Sequence, residues 1–239
     1  MKTIFVLLLT TISLNTFATW ETIQGNGSLK KETRNASGYT GIELQGSLNV
    51  QIDYGSSNSI TVEADENLLP YIETEVENGN LKIRQKKGFN LKSKNKLIVH
   101  ASLTKLTNIG LSGSGNILGT GDFSNNKKTI IKLSGSGNIG LGVADISELD
   151  VAISGSGNIN IKGSQSNIIS VAISGSGNLD CSNFATNDVL ARVSGSGNIR
   201  VNAAKSIDAR VSGSGNIYYK GAVTNLSMKA SGSGKIIKV

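Results

Sequence analysis

Apolar and polar residues alternate along most of this chain, on both sides of a repeated five-residue motif. Ser-Gly-Ser-Gly-Asn occurs six times, and a seventh copy has Lys in place of Asn. The intervals between copies are 22, 20, 20, 20, 18 and 19 residues. A period near 20 indicates one structural unit per repeat, as in solenoids. The copies begin at Ser112, Ser134, Ser154, Ser174, Ser194, Ser212 and Ser231.

The residues around each motif predict two strands joined by a bend. Apolar pairs two residues apart precede it, as in Val151/Ile153, and others follow it, as in Ile159/Ile161. Such alternation is typical of strands with one buried face, and the repeats carry no helical stripe. We therefore predict an all-β fold, a single-stranded right-handed parallel β-helix (a solenoid) with coils of about 20 residues.

Stacked coils place equivalent residues above one another. The motif asparagines should then form a structural ladder in which side-chain amides bond from coil to coil. The predicted ladder residues are Asn116, Asn138, Asn158, Asn178, Asn198 and Asn216.

The segment before the repeats follows the same pattern more loosely. Residues 42–52 form a degenerate copy, and Asp65–Tyr71 predicts a short helical turn or loop. We expect a lead-in over residues 19–38 and one β-helix over 39–239, with irregular coils at 39–108 and regular coils at 109–239. A separate N-terminal β-sandwich is the alternative.

The first 18 residues predict a signal peptide. Lys2 precedes an apolar stretch too short to span a bilayer, and Thr16-Phe17-Ala18 is a small-x-small cleavage site. No later segment predicts a transmembrane helix. We expect an exported protein located in the periplasm, on the outer surface or outside the cell. Cys181 is the only cysteine, so no intrachain disulfide can form.

Charge is unevenly distributed. The formal net charge is +7, and residues 101–239 hold 13 basic and 7 acidic residues. Lys132, Arg192, Arg210 and Lys229 occupy equivalent outward positions, in a column completed by Ala152 and Ala172. These four cations are the candidate ligand-binding residues, suited to an anionic glycan or another cell-envelope component. A merely solvated polar face is the alternative, and we expect no nucleic-acid partner.

Candidate catalytic and metal-binding residues are scarce. Asp150 and Asp208 share a column but are separated by Ser170 and Leu190, while Asp180 and Asp188 stand apart. Polysaccharide lyases and hydrolases need clustered acids. One histidine, His100, cannot form a His-rich metal site, and Cys181 aligns with buried positions. We therefore predict no catalytic residues, metal or cofactor, and a β-helical polysaccharide-acting lyase or hydrolase remains the alternative function.

Three features occur together in this sequence: a signal peptide, the segment Asp65-Glu66-Asn67-Leu68-Leu69-Pro70-Tyr71-Ile72, and the repeated motif Ser-Gly-Ser-Gly-Asn-Ile. In these features the chain resembles the auto-transporter adhesin head domain family, also called the head GIN domain. The likeness covers about Tyr39 to Val239. It implies a right-handed β-helix in bacterial exported proteins and an adhesin-like role, and it supplies no catalytic residues. Autotransporters carry a C-terminal membrane barrel, which we do not expect in the residues after the repeats.

These observations favour a noncatalytic exported β-helix that acts as an adhesin-like, surface or cell-envelope binding module. The pattern runs into the last residues, where Lys235 and Lys238 flank a strand. Open solenoid ends expose strand edges, so we expect end-to-end homo-oligomers.

Overall fold

A computed structural model describes residues 20–56, 59–125 and 127–239. The signal peptide predicted for residues 1–18 lies outside the described residues. Within those residues the chain is built from β-strands and one short 3₁₀ helix. The all-β solenoid with coils of about 20 residues is thereby confirmed, and the hand of the coils stays a prediction.

The first part of the chain caps one end of the solenoid, and its strands do not stack in the order in which they follow one another in the sequence. Strand β3 pairs in parallel with β7 on one side and β10 on the other, and β4 lies likewise between β9 and β11. Antiparallel pairs β2–β5, β5–β9 and β6–β7 cover the outer end. The elements of this part are β1 (Glu21–Gln24), β2 (Leu29–Asn35), β3 (Gly41–Gly46), β4 (Asn49–Tyr54), β5 (Ser59–Asp65), the 3₁₀ helix (Glu66–Tyr71), β6 (Ile72–Glu77), β7 (Asn80–Gln85), β8 (Phe89–Lys92) and β9 (Ile98–Leu103).

The motif repeats form regular coils. Strands before and after each bend pair in parallel with their equivalents one coil away, in the register that the motif alignment predicts. The strands are β10 (Asn108–Gly113), β11 (Asn116–Ser124), β12 (Lys128–Gly135), β13 (Asn138–Ala144), β14 (Glu148–Gly155), β15 (Asn158–Gly163), β16 (Gln165–Gly175), β17 (Asn178–Gly195), β18 (Asn198–Gly213), β19 (Asn216–Lys220), β20 (Asn225–Ser231) and β21 (Ile236–Lys238).

The degenerate copy at residues 42–52 is the coil on which the repeats stack. Ile42 aligns with Ile109, Gly46 with Gly113 and Asn49 with Asn116. Apart from β1 and β8, which form a two-stranded sheet of their own, the early strands share one hydrogen-bonded sheet and one apolar core with the repeats. The inward columns of Val, Ile and Leu are almost fully buried, which follows from the alternation in the sequence.

Both motif glycines are required by the close approach of successive bends. The first, as in Gly175, has a φ of +118°, and a Cβ there would lie 2.5 Å from the Gly155 carbonyl oxygen. The second, Gly177, has no such φ, but its Cβ would lie 2.5 Å from the Gly157 carbonyl oxygen. Backbone hydrogen bonds hold the obstructing oxygen in place, because Gly155 O accepts from Ser176 N and Gly177 N, both at 2.9 Å.

A buried carboxylate holds the cap together. Asp65 is fully buried and accepts hydrogen bonds from Gly27 N, Ser93 Oγ, Lys94 N and both nitrogens of Asn95, at 2.6 to 3.3 Å. Burial alone would raise the pKa of Asp65, but the hydrogen bonds from Ser93, Lys94 and Asn95 outweigh it and lower the pKa to about 2. Asp65 immediately precedes the 3₁₀ helix, the short helical turn that the sequence predicts.

The opposite end of the solenoid is open in the described structure. Leu226 and Met228 of β20 continue the inward columns, yet their exposed fractions are 56% and 41%. No helix among the described residues has the length and apolar character needed to cross a membrane.

Candidate functional site: a groove along the outer face

The register of the sheet brings the four predicted cations into one column. Each residue of the column pairs with the next, one coil further along. A neighbouring column holds the first serine of every motif. The first column runs Gly110, Lys132, Ala152, Ala172, Arg192, Arg210, Lys229.

These two columns line a groove of about 650 Å³, which we name the outer groove. It contains the side chains of Lys132, Arg192, Arg210 and Lys229, together with Ala152, Ala172 and the motif serines from Ser134 to Ser231. The structure thus brings all four predicted residues to one site. Because the serines and alanines are small, the middle of the face is a depression between longer side chains.

The cations differ in their partners. Arg210 donates to Asp208 on the same strand, with N–O distances of 3.1 and 3.2 Å. In the parts of the chain that the structure describes, no carboxylate forms an ion pair with Lys132, Arg192 or Lys229. These three side chains are exposed and have charge available for an anionic ligand.

The motif asparagines lie on one edge of the solenoid, away from the outer groove. Each donates its Nδ2 to the Oδ1 of the asparagine one coil below, from Asn138→Asn116 at 2.8 Å to Asn216→Asn198 at 3.2 Å. Asn116 in turn donates to Asn49 at 2.8 Å. Asn49 was not predicted as a ladder member, although its place in the degenerate copy indicates it. The ladder joins successive coils and leaves no amide directed at the groove.

Among the described repeat coils, two carboxylates lie together that the column alignment missed, and outside the repeats Glu73 and Glu75 share Arg84. Glu148 and Asp150 are two residues apart on β14 and face the same side, where both contact Lys128 Nζ, Glu148 at 2.8 Å. Hydrogen bonds to Asp150 and Glu148 raise the pKa of Lys128. The ammonium lies between the two acids, so they are held in an ion-pair cluster on the flank of the sheet. Asp150 and Asp208 are separated by Ser170 and Leu190 as predicted.

The remaining reactive residues are separate from the groove. His100 lies on β9, half-buried, with Nε2 3.6 Å from Glu63. Cys181 is buried in the core, and burial, with a smaller contribution from Asp180, raises the pKa of its thiol. Within the described residues no group of three or more His, Cys, Asp or Glu is placed to hold a metal ion.

Two features of the groove follow from the register and were missed in the sequence. The serine column forms its second wall, although the strict motif spacing indicates that these hydroxyls share a line. The cationic column also extends into the cap, where Gly110 pairs with Glu43 and Glu43 with Lys82. Aligning the degenerate copy places Glu43 beside Gly110, but Lys82 reaches the column only because β7 stacks on β3 out of chain order.

Known structures that match this fold include four from the Bacteroidales. A protein described as a putative adhesin from Bacteroides fragilis matches with a TM-score of 0.83 at 24% identity, covering 91% of this chain and 100% of its own. A putative adhesin from Parabacteroides distasonis matches with a TM-score of 0.75 at 24% identity, covering 92% and 100%. A protein from the same species, described as a putative lipid binding protein, matches with a TM-score of 0.72 at 27% identity, also covering 92% and 100%.

No curated protein matches the chain. The family model described as "Putative auto-transporter adhesin, head GIN domain" matches residues 38–222, which include the cap from β3 onward, the ladder and most of the outer groove. The chain therefore belongs to the head GIN domain family.

Proposed function

We propose that this protein is an exported, noncatalytic binding module of the bacterial cell envelope, and that it holds an anionic ligand in the outer groove. The observation that carries the proposal is the placement of Lys132, Arg192, Arg210 and Lys229 in one groove, three of them without an acidic partner among the described residues. The names of the relatives describe adhesion and lipid binding, and both are binding roles.

The alternative of a polysaccharide-acting enzyme depends on the Glu148–Asp150 pair. General acid–base catalysis needs one acid that is protonated and one that is free to accept a proton. Lys128 contacts both carboxylates, so each is already engaged in an ion pair. This arrangement favours a structural ion-pair cluster over a catalytic pair.

The proposal is tested by replacing Arg192, Arg210 and Lys229 with Ser in the chain without its signal peptide. Binding would be measured against arrays of acidic and neutral glycans and against vesicles with and without anionic lipid. We expect the variant to lose at least tenfold in affinity for whichever anionic ligand the wild type binds, because two or three charge contacts are removed.

A matched control loses the same charge elsewhere. Lys92, Lys162 and Lys205 are exposed and outside the groove, and their replacement by Ser should leave binding within about twofold. Equal losses in both triple variants would show that net charge, and not the groove, attracts the ligand. Cell fractionation with surface proteolysis would determine the location.

A further inference from the structure

The distribution of charge within the outer groove is uneven, and this points to the shape of its ligand. Arg192, Arg210 and Lys229 lie on three consecutive coils, about 4.8 Å apart. The next two positions are Ala172 and Ala152, and the remaining cation, Lys132, lies three coils from Arg192, about 14 Å away. The groove thus has a cationic end and an uncharged middle.

The floor in the middle offers little polar chemistry for a ligand. Ala152 and Ala172 present methyl groups, and the backbone beneath them is already paired within the sheet. The hydroxyls of Ser154 and Ser174 border the floor on one side, and Asp150 and Ser170 border it on the other. An acidic polysaccharide carries negative charge along its whole length, so its central sugars would lie on methyl groups and beside the like-charged Asp150 carboxylate.

A ligand with one anionic head and an apolar chain matches this pattern. The two arginines can each bind a phosphate or carboxylate through two parallel N–H bonds. Asp208 neutralises part of Arg210, which leaves Arg192 and Lys229 as the cations with charge to spare. The uncharged stretch of about 14 Å is close to the length of one lipid chain, since the hydrocarbon core of a bilayer holds two chain lengths in about 30 Å.

We infer that the outer groove binds a single-chain anionic lipid, with its head group at Arg192, Arg210 and Lys229 and its acyl chain along Ala172 and Ala152. This inference rests on the proposed anion-binding function and adds the class of ligand. The groove is open on its outer side, so about half of each methylene surface is buried. Affinity should then rise about twofold per methylene, against about fourfold for full burial.

The test uses alkyl phosphates of eight, ten and twelve carbons below their critical micelle concentrations, with inorganic phosphate, decanol and trigalacturonate as comparison ligands, in isothermal titration calorimetry. We expect affinity to rise about fourfold for every two carbons. Decyl phosphate should bind more tightly than inorganic phosphate, decanol or trigalacturonate. Decanoate tests whether a carboxylate head serves as well as a phosphate.

Two variants distinguish binding of the ligand's acyl chain from binding of its head group. Ala172→Gln fills the floor and should weaken decyl phosphate at least tenfold while leaving inorganic phosphate binding unchanged. The matched control Ala204→Gln, exposed on another face, should change neither. Arg192→Ser with Arg210→Ser should weaken both ligands.

The outcomes distinguish this inference from the proposed function. Anion binding without chain-length dependence, or trigalacturonate binding more tightly than decyl phosphate, would overturn the lipid assignment and leave the anion site standing. An absence of binding by every anion would overturn both.

Discussion

Replacing a single motif glycine tests the physical account of the bends. Gly175 combines two requirements: a φ of +118°, which side chains rarely adopt, and a Cβ position 2.5 Å from the Gly155 carbonyl oxygen. The backbone strain alone costs about 1–3 kcal/mol. Relieving the contact must displace a bend whose carbonyl and amides bond the coils on both sides, at about 1 kcal/mol for each bond weakened. We expect Gly175→Ala to lower the free energy of unfolding by about 3–4 kcal/mol.

Two other glycines separate these contributions. Gly38 has a φ of +74° with no atom within 4 Å of the added Cβ, so Gly38→Ala measures backbone strain alone, about 1 kcal/mol. Gly177 lacks the positive φ but has both Gly157 O and Ile153 Cγ2 at 2.5 Å, so Gly177→Ala measures crowding alone. Ser176→Ala, exposed in the same bend, is the control and should stay within about 0.5 kcal/mol of the wild type.

The assay is urea unfolding followed by far-UV circular dichroism. The expected order of destabilisation is Gly175→Ala first, Gly177→Ala second and Gly38→Ala third. If Gly175→Ala were no less stable than Gly38→Ala, the coils would be free to separate at the bend, and close coil stacking would not be the reason for the glycine.

Three further predictions concern the cap, the ladder and the open end. The free energy of unfolding should be constant above about pH 4 and fall as the pH drops towards 2, because the pKa of Asp65 is lowered to about 2 in the folded state. Asp65→Asn places an amide NH2 group against buried donors, so it should cost about 3 kcal/mol at pH 7. The same substitution should reduce the loss of stability between pH 4 and pH 2 in thermal melts. Asn158→Ala removes bonds to two neighbouring asparagines and should cost about 1–2 kcal/mol in urea unfolding, whereas Asn160→Ala on the same strand should cost less than 0.5. Self-association through β20 should appear as a concentration-dependent mass in light scattering and be reduced by Leu226→Lys; a monomer at all concentrations would contradict it.

The sequence determined the repeat, and the repeat determined most of the architecture. Period-2 alternation assigned Val151 and Ile153 to the core, because residues two apart on a strand share a face. The motif aligned Arg192 with Arg210, because each lies two residues before the first serine of its copy, although the interval there is 18 residues. Local pattern and a recurring motif suffice wherever each coil contacts only its neighbours.

The cap contacts, the Lys128 ion pairs and the depth of the outer groove were decided only by the tertiary structure. The chain leaves the β3–β4 coil, forms the cap and returns to β10, so Glu43 and Lys82 meet the groove column through contacts between segments far apart in sequence. Lys128 bridges Glu148 and Asp150 because a strand pairing joins neighbouring coils at that point. The depth of the outer groove is likewise a property of stacked side chains: each alanine or serine is unremarkable alone, and the depression exists only when small residues from successive coils lie side by side between longer ones.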